Sequence, residues 1–222
     1  MIYLLVIGVV CGLAFAAWKL TARSAYESAA YSVLESDGSF ELREYPDLML
    51  ATTKMGTRIQ GDDGSFGRLF RYISGGNKED QKIAMTTPVF MEPESEESDG
   101  QMGFVLPEEV AGSTIPQPGN EQVKIHKRAG GKFAVVRFAG RLSKENQTQQ
   151  TTELESWIGK RGFAIVGQPE IAGYDPPWTP GPLRRNEILI RIESARVCHL
   201  PAQACFANEI AAVFYRQYQA GF

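Results

Sequence analysis

Histidine and cysteine are almost missing from this chain: its 222 residues include two histidines, His126 and His199, and three cysteines, Cys11, Cys198 and Cys205. No Cys-x-x-Cys occurs, which removes the usual zinc pairs and the c-type haem attachment. There is no Gly-x-Ser-x-Gly elbow and no His-Glu metal pair, and Gly61-Asp-Asp-Gly-Ser-Phe-Gly67 is not a Walker loop. Nucleophilic hydrolysis therefore lacks its usual base, and the chain reads as a non-enzyme with no catalytic or metal-ligating residues assigned. Surplus positive charge is lacking too. The formal net charge is −3, whereas a nucleic-acid binder needs a basic face to neutralise phosphates, so no nucleic-acid partner is expected.

Charge is altogether absent from Met1 to Trp18, a run followed at once by Lys19 and later by Arg23. Residues 1–19 approach the length of a bilayer-crossing helix and read as a transmembrane anchor or a signal segment. Ala14-Phe15-Ala16 offers a small-residue cleavage site, but the basic n-region of a signal peptide is lacking, which favours an uncleaved anchor. Cys11 follows Val10 rather than a small residue, against a lipoprotein signal. Membrane attachment through this segment is the expectation, with the main domain cytoplasmic by the positive-inside rule; export is the alternative. Residues 20–30 are small and polar, a linker. At the other end, residues 194–222 form an extension of unassigned role, in which Glu209 to Tyr218 can make a short helix. Cys198 and Cys205 lie there, either as a disulfide or as two unpaired thiols.

Between these ends the chain has the composition of an ordinary globular domain, 43% hydrophobic and 22% charged. Tyr31–Leu34 and Phe40–Tyr45 flank the turn signal Asp37-Gly38, and Leu48–Met55 is a third strand. Asp62 or Asp63 can cap a helix whose Phe66, Leu69, Phe70 and Ile73 fall at the spacing of one buried face, ending at Gly75-Gly76. Ile83, Met85, Thr87 and Val89 share one side of a strand in which Pro88 marks an edge or bulge. An acidic loop, Glu92–Asp99, precedes the strand Met102–Leu106. Val123–Lys127 and Phe133–Phe138 read as a hairpin around Gly130-Gly131. Ser143 caps a second helix, buried through Leu154, Trp157 and Ile158 and stopped by Gly162. Asn186–Ile192 is the last strand, with Ile188, Ile190 and Ile192 on one face.

The order strand pair, helix, strand thus occurs twice about eighty residues apart. Phe40–Tyr45, Leu48–Met55 and the Phe66 helix correspond to Val123–Lys127, Phe133–Phe138 and the Trp157 helix. This is an α+β pattern: a distorted antiparallel β-barrel built from two pseudo-repeated strand-strand-helix-strand units, with two main helices. A groove between helix and sheet is where a flat ligand would lodge.

Four segments carry a more specific signal: Tyr31 to Tyr45; Phe70-Arg-Tyr-Ile-Ser-Gly-Gly-Asn77 with Ile83-Ala-Met-Thr-Thr-Pro-Val89; Phe133 to Arg141; and Gly173-Tyr-Asp-Pro-Pro-Trp178 through Arg184-Arg-Asn-Glu-Ile188. On these residues 31–193 resemble the SOUL or haem-binding protein family. The resemblance implies haem or a related tetrapyrrole held reversibly in a surface groove beside the first helix, for carriage, buffering or sensing. It implies a groove lined by Phe66, Leu69, Phe70 and Ile73, with the loop around Trp178 and Pro180 opposite. Haem also needs cations for its propionates, and Arg71, Arg184 and Arg185 are candidates. The competing reading makes Arg184 and Arg185 a structural pair on Asp175 or Glu187, and at least two of the four helix residues plain core. No axial ligand is assigned: His126 shares a strand face with Lys124 and Arg128 and is expected to face solvent, and Met85 reads as packing. The alternative function is an effector-binding-type module for other bulky amphipathic molecules.

Overall fold

The computed structural model describes residues 26–55, 64–93, 100–176 and 179–194, together with Gly8 and Gly12. The expected anchor (but for those two glycines), most of the linker, Trp178 and the extension beyond Ser194 lie outside the described residues. Among the described residues no helix is long and apolar enough to cross a membrane.

The elements in chain order are β1 (Glu27–Ser28), β2 (Ser32–Asp37), β3 (Phe40–Tyr45), β4 (Leu48–Lys54), α1 (Ser65–Ile73), β5 (Thr86–Thr87), β6 (Val89–Glu92), β7 (Gln101–Val105) and α2 (Glu108–Ala111). There follow β8 (Val123–Arg128), β9 (Gly131–Ala139), α3 (Lys144–Lys160), β10 (Phe163–Ile165), β11 (Glu170–Gly173), a 3-10 turn (Gly181–Leu183) and β12 (Arg185–Ser194). Apart from the short parallel pair β1 and β5, the strands form one curled antiparallel sheet in the order β2-β3-β9-β12-β11-β6-β7-β4-β8, with β10 beside the end of β12. The expected α+β distorted barrel with two main helices is realised as a half-barrel.

Setting β2 and β10 aside, that order is its own mirror when β3 is exchanged with β8, β4 with β9, β6 with β11 and β7 with β12. The pseudo-repeat is thus a two-fold arrangement whose axis passes between β6 and β11, where Ile171 pairs with Met91. The same symmetry corrects an expectation. β8 and β9 do not form a hairpin: β8 pairs with β4, and β9 pairs with β3 and β12. The chain instead turns two corners that meet, Pro46-Asp47 and Ala129-Gly130. Gly130 N–H donates to Asp47 Oδ1 at 2.8 Å, and a Cβ on Gly130 would stand 2.5 Å from Tyr45 O and 2.6 Å from Pro46 C. A pattern of alternating residues around Gly-Gly cannot distinguish a hairpin from such a corner.

Period-two alternation gives the sheet two buried faces. The outer one, with Ala51, Met91, Phe104, Ala134, Ile171, Ile188 and Ile190, is covered by Leu69, Tyr72 and Ile73 of α1 and by Leu154, Trp157 and Ile158 of α3. The inner one, with Tyr45, Leu50, Phe90, Phe133, Val135, Tyr174 and Leu189, has no helix over it among the described residues and is buried because the sheet curls onto itself.

Local signals largely survive. Ser143 Oγ accepts from Asn146 N–H at 3.2 Å and caps α3, and Gly162 follows its end with φ +70°. Three details differ. The cap of α1 is Gly64 at φ +82°, without a side-chain bond, rather than Asp62 or Asp63. The strand expected from Ile83 is broken into β5 and β6 by Pro88, whose peptide bond is cis. The short strands β10 and β11 were not expected, because three or four residues are too few to show a period.

Candidate functional site

Helix α1 lies on β4, β7 and β8, anchored by Arg68, whose Nε donates to Thr53 Oγ1 at 3.1 Å and whose Nη2 donates to Lys54 O at 2.7 Å. Leu69 and Ile73, expected to line the groove, point into the sheet with 0% and 5% of their surface exposed. They are core and cannot touch a surface ligand. Tyr72 is buried beside them, its hydroxyl donating to Pro116 O at 2.8 Å and pushed up to a pKa of about 12 by burial.

The other side of α1 is different. Phe70 is half exposed and stacks on half-buried Phe66 with ring centroids 6.0 Å apart and planes 12° from parallel. Phe66 in turn meets Phe104 edge-on at 5.2 Å, so the pair is fixed from below. Arg71 is exposed next to Phe70, and a Cβ on exposed Gly67 would meet nothing within 4 Å. One helix face therefore presents a rigid aromatic step, a flat open shoulder and a cation.

The two other candidate arginines lie elsewhere. Strand β12 packs against α3, whereas α1 packs on β4, β7 and β8. Arg184 is half-buried and its Nε donates to Thr179 O at 2.8 Å. Arg185 enters the concave face, where its Nε donates to Glu187 Oε1 at 2.9 Å and its guanidinium lies 4.1 Å over the Tyr174 ring. Its backbone N–H donates to Asp175 Oδ2 at 2.6 Å. Arg185 thus makes the contacts of the competing reading, its side chain on Glu187 and its backbone N–H on Asp175.

Sequence patterns missed what Arg185 belongs to. Arg43 and Glu187 are each 0% exposed and face one another through two bonds, Nη1 to Oε2 at 2.7 Å and Nη2 to Oε1 at 3.0 Å. Tyr174 donates its hydroxyl to Glu187 Oε2 at 2.9 Å, and Arg43 Nε donates to Glu41 Oε2 at 2.7 Å. Arg137 Nη2 donates to the other Glu41 oxygen at 2.8 Å, and the Arg43 guanidinium lies 4.2 Å over the Tyr31 ring. Burial alone would push the Glu187 carboxyl up. The Arg43 and Arg185 guanidiniums outweigh it and hold the carboxyl below the usual range. The signal was present in Arg43 and Arg185, which sit at inward positions of strands that otherwise alternate; polarity there reads as solvent unless the sheet is known to close.

A second buried arginine, Arg128, lies over Phe133 at 4.3 Å and Phe90 at 4.6 Å. Its Nε donates to Glu170 Oε2 at 2.8 Å; Nη2 is 2.7 Å from the same oxygen but misaligned, so it counts as an ion-pair contact, and Nη1 has no hydrogen-bond partner. Burial raises the Glu170 pKa, and Arg128 offsets this only in part. The depression at this rim, between Thr52, Phe90, His126 and Arg128, holds about 10 Å³, room for one water. This rim of the concave face has no space for a macrocycle.

A family model described as SOUL heme-binding protein matches residues 26–191. The chain belongs to the SOUL haem-binding protein family. Heme-binding protein 1 of Xenopus tropicalis is 25% identical over 162 residues, covering 69% of this chain and 84% of that protein. The Xenopus laevis protein of the same name is 26% identical with the same coverage. In fold the chain is similar to the EcmrR C-terminal domain, with a TM-score of 0.50, 15% identity, and coverage of 74% of this chain and 98% of that one.

Two possible axial donors, His126 and Met85, lie among the described residues of this SOUL-family domain. His126 is exposed as expected, but Val123 and Ile125 are the β8 residues that meet the outer core, so His126 faces away from α1. Met85 packs against the same core. Arg128, expected beside His126 in solvent, is buried. Among the described residues no group of three His, Cys, Asp or Glu side chains can hold a metal ion.

Proposed function

We propose that the domain binds haem or a related tetrapyrrole on the outer face of α1, reversibly and without an axial protein ligand, as a carrier, buffer or sensor rather than a catalyst. The observation that carries this reading is the Phe66–Phe70 stack exposed beside Gly67 and Arg71. A half-exposed phenylalanine is apolar surface left in water, and a flat macrocycle laid across it recovers roughly 25 cal/mol per Å² covered. Gly67 keeps the neighbouring shoulder free of side chains, and Arg71 is in reach of a propionate. Haem itself would supply the redox-active iron; Phe70 and Phe66 would hold its ring and Arg71 its charge.

Hemin titration followed in the Soret band tests this. The expected result is saturable one-to-one binding, weakened about tenfold by Phe70→Ala, a loss on the order of 1.4 kcal/mol. Binding that is unchanged in Phe70→Ala, or absent below roughly 10 μM, sinks the α1 site and favours a module for other bulky amphipathic molecules.

A further inference from the structure

Helix α3 is unusual in its first half. From Lys144 to Glu153 it has no apolar side chain, and its core contacts come from Leu154, Trp157 and Ile158 in the second half. A helix segment that is polar all round has nothing with which to seat itself on a sheet. Here it stands off, leaving a groove of about 490 Å³ between Lys144, Gln147, Thr151 and Glu155 on one wall and Gln168 and Ile171 on the other. Gln147 lines this groove, is 9% exposed, and its Nε2 is buried with no hydrogen-bond partner. An unpaired buried amide donor costs stability, and that cost is relieved if the Gln147 carboxamide turns its Nε2 out into the groove and meets a ligand acceptor there.

We infer that this groove binds a short extended peptide, with its carboxyl end toward Lys144 and its amino end toward Glu155. The lining residues contain carboxamides and hydroxyls but no aromatic ring, so the stacking platform that a sugar, a base or a macrocycle uses is missing. A carboxamide presents one donor and one acceptor side by side, the complement of a peptide unit. Lys144 and Glu155 stand at opposite ends of the stripe, eleven residues apart on one helix, or about 16 Å at 1.5 Å per residue. An extended peptide covers that span with about five residues. The carboxylate end falls at the helix N-terminus, where the macrodipole adds to the lysine charge. The site is separate from the exposed face of α1 and does not depend on haem.

The test is calorimetric titration of the full chain in detergent with zwitterionic penta-alanine, with hydrogen–deuterium exchange to locate the contact. Saturable binding with a Kd of roughly 0.1–1 mM is expected, with new protection in segments 144–155 and 166–171. Capping both peptide ends weakens it about threefold. Gln147→Leu, which removes the unpaired donor without emptying the site, weakens it about tenfold, and Thr151→Trp, filling the groove from a half-buried position, abolishes it. Circular dichroism confirms that both variants fold; if either does not, the remaining one decides. No heat up to about 5 mM peptide (a binding free energy near 3 kcal/mol), protection at α1 instead, or binding untouched by both variants overturns the proposal. Maltotriose binding in place of penta-alanine overturns the assignment of the ligand.

Discussion

Glu187→Gln removes the one negative charge that Arg43 and Arg185 share in the concave face, while keeping the side-chain shape. The carboxylate is 0% exposed and accepts from both guanidiniums and from the Tyr174 hydroxyl. Replacing it with an amide leaves buried Arg43 with only Glu41 as a carboxylate partner, and half-buried Arg185 without its ion pair. Breaking a buried ion pair by removing one partner costs about 3–5 kcal/mol, and each charge-assisted bond lost is worth about 1.5–3 kcal/mol, not additively. An overall loss of about 3–5 kcal/mol is expected, which for a domain of this size is a Tm fall of roughly 6–20 °C. Urea unfolding followed by tryptophan fluorescence, with calorimetry for Tm, measures it. The acid limb supplies a second readout. The folded-state pKa of Glu187 lies below its ordinary value of 4.5, so its contribution is full above that value and disappears as pH falls through the folded pKa. Glu187→Gln should lack that part of the acid-side slope. A loss under about 1 kcal/mol with an unchanged acid limb would mean that water reaches the network, and the dry, closed concave face would be refuted.

Arg185→Ala should cost about 2–3 kcal/mol, from the charge-assisted bonds to Glu187, yet leave the hemin Kd within about twofold (0.4 kcal/mol); a tenfold weakening would return this arginine to the ligand site. Gly130→Ala should destabilise by about 1–3 kcal/mol, because its Cβ meets the backbone of Tyr45 and Pro46; denaturant midpoints decide, and a neutral result would mean that the two corners are not in contact. Alkaline carbonate extraction addresses the uncharged run from Met1 to Trp18: the full chain is expected to stay with the membrane pellet, and its release would end the anchor reading.

Much of the domain is legible locally. Apolar residues at helical spacing marked α1 and α3, Ser143 marked where α3 begins, and Asp37-Gly38 marked the β2–β3 turn. These signals are physical consequences of a few neighbouring residues, so they survive without knowledge of the rest. The candidate site was legible only by half. Phe66, Leu69, Phe70 and Ile73 share a stripe by spacing, but a stripe wide enough to attach a helix has an outer margin, and only packing shows that Phe70 lies on it while Leu69 and Ile73 are core.

By itself, then, the sequence determined the two-fold repeat of elements, the α+β class and the family. Only the tertiary structure decided which strands pair and what the arginines do. Strand partners depend on contacts between residues far apart in the chain, and an alternating run is compatible with either neighbour. Arg43 stands on an alternating strand with no local sign of burial; once the sheet curls it lies fully buried, where Glu187 and Glu41 make its burial tolerable, and half-buried Arg185 closes on the same Glu187 from the edge.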